Sequence, residues 1–208
     1  MQIHSMISDS GVNGPGRRAV VWFQGCTLKC PGCWNPATHA FGIGTDRSFQ
    51  GVGTWILACT DIEGVTFSGG EPFQQAEALA GLCEYLKAAR PALSIGLFSG
   101  YTIRELASGR WQFRSDTDRC WHQGSSHLFD RVKGHLDFGV FGRFNQAKHT
   151  TDKPLCGSSN QEVVFFANRY SSKDLLHQEC EINISGNGEE MTITGFPPPD
   201  LLRSLSAS

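Results

Sequence analysis

No apolar run in this 208-residue chain approaches 18 residues, so nothing in it reads as a helical membrane span. The N-terminus lacks the basic-then-apolar pattern of an export signal, and the expectation is a soluble, cytoplasmic protein. No stretch carries five like charges. The net charge is only −2 and the pI is about 6.4, so no nucleic-acid face is expected. Internal repeats are missing too. The chain has eight cysteines but not the short secreted setting in which cysteines form a disulfide scaffold.

Three of the eight cysteines lie within eight residues, Cys26-x3-Cys30-x2-Cys33. Three thiolates in one loop can grip a metal centre without closing it. A [4Fe–4S] cube has four irons, so three cysteines leave one iron open to a small molecule. A ferredoxin takes four cysteines per cluster, and here the run stops at three. A structural zinc site prefers four protein ligands, with His39 as the candidate fourth. Cys59, Cys83, Cys120, Cys156 and Cys180 are scattered, which leaves no second cluster. Cys83 falls on the apolar face of a helix and reads as a small core residue.

Around the cysteine loop the chain reads as strand, loop and helix in turn. Residues 2–7 suit a short first strand, and the glycines of 11–16 a loop. Ala19-Val20-Val21-Trp22-Phe23 is a continuous apolar run, as in a strand buried on both faces, and it ends at the cysteine loop. Gly64–Ser68 and Ser94–Phe98 are two more such strands. Between them Leu79, Leu82, Cys83 and Leu86 recur at helical spacing. Thr102 can cap a short helix through Leu106. Leu136–Phe144 and Gln161–Phe166 supply a fourth and a fifth strand. The alternation predicts an α/β fold, an incomplete parallel (β/α) barrel of about five or six strands with the cysteine loop at the carboxyl ends. Residues 1–168 form the main unit; within it 108–130 are less regular and read as a surface loop, a lid or a partner surface, and against the family resembled below they look like an insertion. In the remaining stretch, 169–208, Glu181–Ile184 and Met191–Thr194 alternate around Ser185-Gly186-Asn187-Gly188, an accessory β-hairpin. Pro197–Pro199 then stop regular structure. His122 and His127 are not at a helical metal-ligand spacing and are assigned no metal.

Five motifs, in order, carry a resemblance over roughly residues 1–168. They are Asn13-Gly14-Pro15-Gly16-x-Arg18, the cysteine loop through Cys33-Trp34-Asn35-Pro36, Ser68-Gly69-Gly70-Glu71-Pro72, Ser99-Gly100-Tyr101 and Gly157-Ser158-Ser159-Asn160-Gln161. With them the chain resembles the radical S-adenosylmethionine (SAM) enzymes, most of all the activating enzymes of anaerobic (class III) ribonucleotide reductase. The resemblance implies that Cys26, Cys30 and Cys33 hold a [4Fe–4S] cluster and that SAM's amine and carboxylate chelate the open iron. It implies that Gly32, Cys33 and Trp34 wall the SAM site, with an aromatic against the adenine. Gly69 and Gly70 leave SAM unobstructed backbone amides and carbonyls; Glu71 is expected to counter its ammonium, by side chain or, as often in the family, by backbone, and Ser99 to bond its ribose or carboxylate. Glu71 also has a plain reading as a helix entry beside Pro72, and Ser99 as a strand-end turn.

The implied chemistry is the cofactor's own. An electron reaches SAM, the sulfonium C–S bond breaks, and a 5′-deoxyadenosyl radical abstracts hydrogen from the target. No protein acid or base is required, so no catalytic residue is assigned. The implied partners are a glycyl radical enzyme as target and flavodoxin or ferredoxin as electron donor. Alternatives are a radical SAM enzyme acting on a peptide or a small molecule such as a deazapurine precursor, and an electron-transfer or zinc module. The relatives carry an Asp-Gly-Lys-like strand end; here Phe141-Gly142-Arg143 keeps the basic residue but not the acid.

Overall fold

The structure is a computed structural model; it describes residues 1–175, 180–185 and 190–195. Its centre is a seven-stranded sheet. In chain order the strands are β1 (Gln2–Ser10), β2 (Arg18–Phe23), β3 (Thr45–Asp46), β4 (Gly64–Gly69), β5 (Ser94–Ser99), two strands of a separate hairpin, β6 (Gln112–Arg114) and β7 (Trp121–Gln123), then β8 (Phe138–Phe141) and β9 (Glu162–Phe165). The order across the sheet is β3-β1-β2-β4-β5-β8-β9. The four middle strands, β2, β4, β5 and β8, run parallel, as the repeating strand-loop-helix pattern requires.

Both flanks are antiparallel, which the barrel reading did not include. β1 runs through Ser10 and pairs antiparallel with β2, and β9 pairs antiparallel with β8. The connections explain this. A parallel neighbour needs a crossover of a dozen or more residues, usually a helix. Gly11–Arg17, too short for a crossover, is all that separates β1 from β2; the β8–β9 link is longer, 142–161, but carries only a single 3₁₀ turn, Gln146–Lys148, and no helix to cover a crossover. The result is a partial barrel of mostly parallel strands.

Helices α1 (Phe49–Ala58), α2 (Ala76–Ala89), α3 (Ile103–Ala107) and α4 (Ser126–Lys133) flank the sheet. Leu79, Leu82, Cys83 and Leu86 of α2 are all fully buried, facing Val65, Phe67, Ile95 and Leu97 of the strands. Burial pushes the Cys83 thiol up to about 12, as befits a core residue. α3 is fixed by a capping box in which the Thr102 and Glu105 side chains answer each other's backbone amides. Alternate residues of β2 face opposite ways. Ala19, Val21 and Phe23 join the helix-side core, while Trp22 lines the cavity.

Residues 108–130 hold the β6–β7 hairpin and the start of α4. Trp111 is buried, its indole N–H donating to Leu106 O at 3.1 Å and its ring meeting Phe73 edge-on. At the C-terminus β10 (Cys180–Ser185) and β11 (Glu190–Gly195) form the expected antiparallel pair. The residues between them and Pro197–Pro199 lie outside the described residues. Among the described residues no helix is long and apolar enough to cross a membrane.

Candidate cluster and cofactor site

The cysteine loop leaves β2 at its carboxyl end and is folded back by the residues after it. Gly25 N donates to Thr38 O at 2.7 Å and Cys26 N to His39 O at 3.0 Å. Gln24 locks this return: its amide N–H donates to Ala37 O and Ala40 O, and its oxygen meets His4 Nδ1 at 2.9 Å. Lys29 adopts a positive φ of 45°, which curls the loop between Cys26 and Cys30. All eight cysteines are free.

Cys26, Cys30 and Cys33 line one cavity of about 300 Å³ with Gly69 and Gly70. Burial pushes the Cys26 thiol up to about 12, with the nearby Glu71 carboxylate adding to the shift. Cys30 is raised as well, by burial first and by Cys33 second. A thiolate at such a site requires a cation beside it. Among the described residues no three Cys, His, Asp or Glu side chains are drawn together as around a single metal ion. The three thiols line one cavity, as the ligands of a cluster must, since its sulfur ligands sit at separate corners of one body.

The turn after β4 is held from below. Gly69 has φ 96°, and a Cβ there would stand 2.6 Å from Phe23 N and O. Gly70 N donates to Phe23 O at 2.8 Å and Glu71 N to Gly25 O at 2.9 Å. These amides are therefore engaged by the chain itself, and the turn's carbonyls are what it can offer a ligand. The Glu71 side chain is fully buried under the turn. Its oxygens accept from Phe73 N at 3.0 Å, Ser99 Oγ–H at 2.9 Å and Gly100 N at 2.7 Å. Burial raises its carboxyl to about 7, opposed by those donors. Glu71 and Ser99 thus tie the ends of β4 and β5 to each other. Two neighbours extend the clamp. Gln74 Nε2 donates to Thr27 Oγ1 at 2.6 Å, and Gln75 Nε2 donates to Gln2 O and Gln24 O at 3.0 and 2.9 Å.

Trp34 lines the cavity and packs against Phe144 and His149, with ring centroids 6.3 and 5.9 Å away. Gly32 is not among the cavity's lining residues; it is exposed, its Cα facing Gln146. Arg143 does not enter the cavity either. It pairs with Glu105 at 2.9 Å and lies over the Tyr101 ring at 5.5 Å. Gln161 staples the late motif to β8: its oxygen accepts from Gly157 N and Ser158 N, and its amide donates to Gly142 O at 3.0 Å. Asn13 and Gln161 stand in motifs that flag the site, although neither is assigned a role there from sequence. Ile193, Thr194 and Gly195 also line the cavity, and no sequence signal points to them.

A mostly parallel sheet with three free thiols at its carboxyl end is the arrangement of a single-cluster iron–sulfur domain. The family model described as a 4Fe-4S single cluster domain matches residues 12–164. The chain is 37% identical over 178 residues to a pyruvate formate-lyase-activating enzyme of Listeria monocytogenes, covering 83% of this chain and 64% of that protein. It is 34% identical over 173 residues to an anaerobic ribonucleoside-triphosphate reductase-activating protein of Vibrio cholerae, covering 80% of this chain and 99% of that one. The protein of the same name from Salmonella typhi is 29% identical over 118 residues, which is 54% of this chain and 77% of that protein. The chain thus spans 64% of the length of the Listeria relative and nearly all of the Vibrio one. The chain belongs to the radical SAM activase family, whose cofactors are a [4Fe–4S] cluster and SAM.

Proposed function

We propose that this protein cleaves SAM reductively and uses the product to install a glycyl radical on a partner enzyme, such as an anaerobic ribonucleotide reductase. The observation that carries this reading is the single cavity shared by Cys26, Cys30, Cys33 and the Gly69–Gly70 turn. The three cysteines would hold the cluster and leave one iron for SAM. When bound, the cluster supplies the electron that splits SAM into methionine and a 5′-deoxyadenosyl radical, the species that takes hydrogen from the target.

The chain's own residues position and shield. Carbonyls of the Gly69–Gly70 turn suit an ammonium donor. Glu71 and Ser99 line the cavity, where they would contact SAM, and their mutual hydrogen bond also holds the turn. Trp34, wedged against Phe144 and His149, presents an aromatic wall beside the last cysteine. No side chain is assigned a proton-transfer role. The electron would come from a one-electron donor such as flavodoxin or ferredoxin, in a reducing cytoplasm that keeps eight thiols free.

The test is anaerobic incubation of reconstituted protein, SAM, a reductant and a candidate glycyl radical enzyme, followed by electron paramagnetic resonance. The expected result is a glycyl radical on the partner that depends on SAM and on Cys33. A protein that consumes SAM yet leaves every such partner silent is not an activase, and its substrate would then be a peptide or small molecule.

A further inference from the structure

A second depression lies on the outside of the cysteine loop. Pro31 lines it from the loop, and Arg143, Gln146, Ala147 and Asn160 line it from the β8–β9 link. Pro31 directly follows Cys30, which lines the cavity, so the loop turns one residue to each side. Phe144 lines both depressions, and among the described residues it alone is shared by them. One aromatic side chain thus stands between the outer groove and the cavity of the three thiols. The loop and the link are closely packed here: a Cβ added at Gly32 would stand 3.0 Å from the Gln146 side chain.

The charges beside this groove have one sign. Lys29 stands two residues before Pro31, and Lys148 directly follows Ala147. Both are exposed, and neither enters a salt bridge among the described residues. Arg143 adds a third cation, paired with Glu105 at 2.9 Å. No carboxylate lines the groove. The chain as a whole carries a net charge of −2, so this cationic rim is a local feature. The lining is mostly polar, with Asn145, Gln146 and Asn160 beside Arg143. Such a face lacks the apolar anchors of a lasting complex and suits a brief, wet, electrostatically steered encounter. Weak electron-transfer pairs have small interfaces of this kind.

We propose that this groove is the docking face of the electron donor, a small one-electron carrier with a carboxylate-rich rim around its redox centre. The carrier is oxidised by one electron and the cluster behind Phe144 is reduced by one; no bond forms or breaks and no proton moves. The proposal rests on the activase reading for the presence of the cluster, and it adds the face and the charge of the donor. Lys29 and Lys148 steer the carrier in, an effect that added salt screens. The groove and the cavity meet only at Phe144, so the carrier and SAM bind together rather than in competition.

The experiment uses the reconstituted full chain and a flavodoxin with acidic residues around its flavin. Calorimetry reads binding of the oxidised flavodoxin, and stopped-flow absorbance reads cluster reduction by the reduced form. The double variant Lys29→Glu with Lys148→Glu is expected to bind at least about tenfold more weakly and to be reduced at least about tenfold more slowly. Its reduction by photoreduced 5-deazariboflavin, a small uncharged reductant, should match the wild type. Lys173→Glu, on a turn that lines neither depression, should change nothing. The pair Lys29→Gln with Lys148→Gln serves if the reversed charges impair folding. Wild-type binding should weaken as salt is raised and stay the same when SAM is added. A double variant that binds and is reduced like the wild type overturns the proposal, as does binding that SAM abolishes. A cationic face that instead joins two copies of this chain, with no effect on the carrier, overturns it too. The binding readout needs no SAM cleavage, so a protein that docks the carrier yet never cleaves SAM would sink the activase reading alone.

Discussion

At the amino ends of β2, β4 and β5, one guanidinium closes the barrel. Arg18 is fully buried and donates to Thr66 Oγ1 at 2.7 Å, Pro15 O at 2.9 Å and Val65 O at 2.8 Å, and it reaches Ser94 at 3.2 Å. Its underside lies over the Phe138 ring, 5.0 Å from the centroid, and Gly96 makes room because a Cβ there would stand 2.2 Å from that ring. At the carboxyl ends of the same strands the chain instead leaves three thiols and a turn of carbonyls facing a cavity. Each end contains a sequence motif and a set of close-packed glycines. The amino end answers its polar groups internally and so serves stability. At the carboxyl end the same economy stops at Glu71, Gln74 and Gln75, which hold the rim while the thiols above them stay free.

The sharpest way to break this comparison is to change one residue at each end. Cys30→Ser should abolish four-iron cluster assembly, read as iron and sulfide content, and leave thermal stability within about 1 kcal/mol of wild type. Arg18→Met should do the reverse. Removing it strands several buried acceptors and costs about 3 kcal/mol, or a drop in Tm of roughly 6–12 °C for a chain of this size. Below its lowered Tm, that variant should still take up a cluster. An Arg18→Met protein of normal Tm that fails to bind iron would show that the two ends are not separate.

The rim should respond to pH. Burial raises the Glu71 carboxyl from 4.5 to about 7, so the folded state favours its protonated form. Its stabilising contribution is then complete below the unfolded value and is lost as pH rises through 7. Relative to Glu71→Gln, which does not titrate, the cluster-free wild type should lose on the order of 2 kcal/mol between pH 5 and 8. Parallel melting curves for the two across that range would contradict the assignment. The smallest effect is expected at Arg143. Its pair with Glu105 is partly exposed, and Arg143→Ala should cost about 1 kcal/mol or less. That pair also holds Glu105 down at about 2, against the effect of burial. The loss on substitution should therefore be seen near neutral pH and fade as pH falls through the carboxylate range, measured by chemical denaturation.

Local signals made parts of the molecule legible from sequence. The heptad-like spacing in α2, the apolar run of β2 and the three-cysteine loop each report on a few adjacent residues, and each is found where that signal places it. α1 gives no such signal, because Phe49–Ala58 contains two glycines and only a short apolar stretch. The antiparallel flanks are not legible because direction is set by the connections, a short loop before β2 and a link without an α-helix before β9, not by strand composition. The functional side chains divide the same way. The three cysteines stand out by their spacing, and all three line the cavity. The engagement of Glu71 with Ser99 and Gly100, and the presence of Ile193–Gly195 in the cavity, are contacts between distant segments that no local pattern encodes.

The account stands or falls on whether this cavity cleaves SAM. The direct measurement is anaerobic: reconstitute and reduce the protein, add SAM with a candidate glycyl radical enzyme, and quantify 5′-deoxyadenosine, with Cys30→Ala as control. The account predicts product from the wild type and none from the variant. A wild-type protein carrying a full four-iron cluster that forms no 5′-deoxyadenosine, with or without the partner, would contradict it and leave an electron carrier in its place.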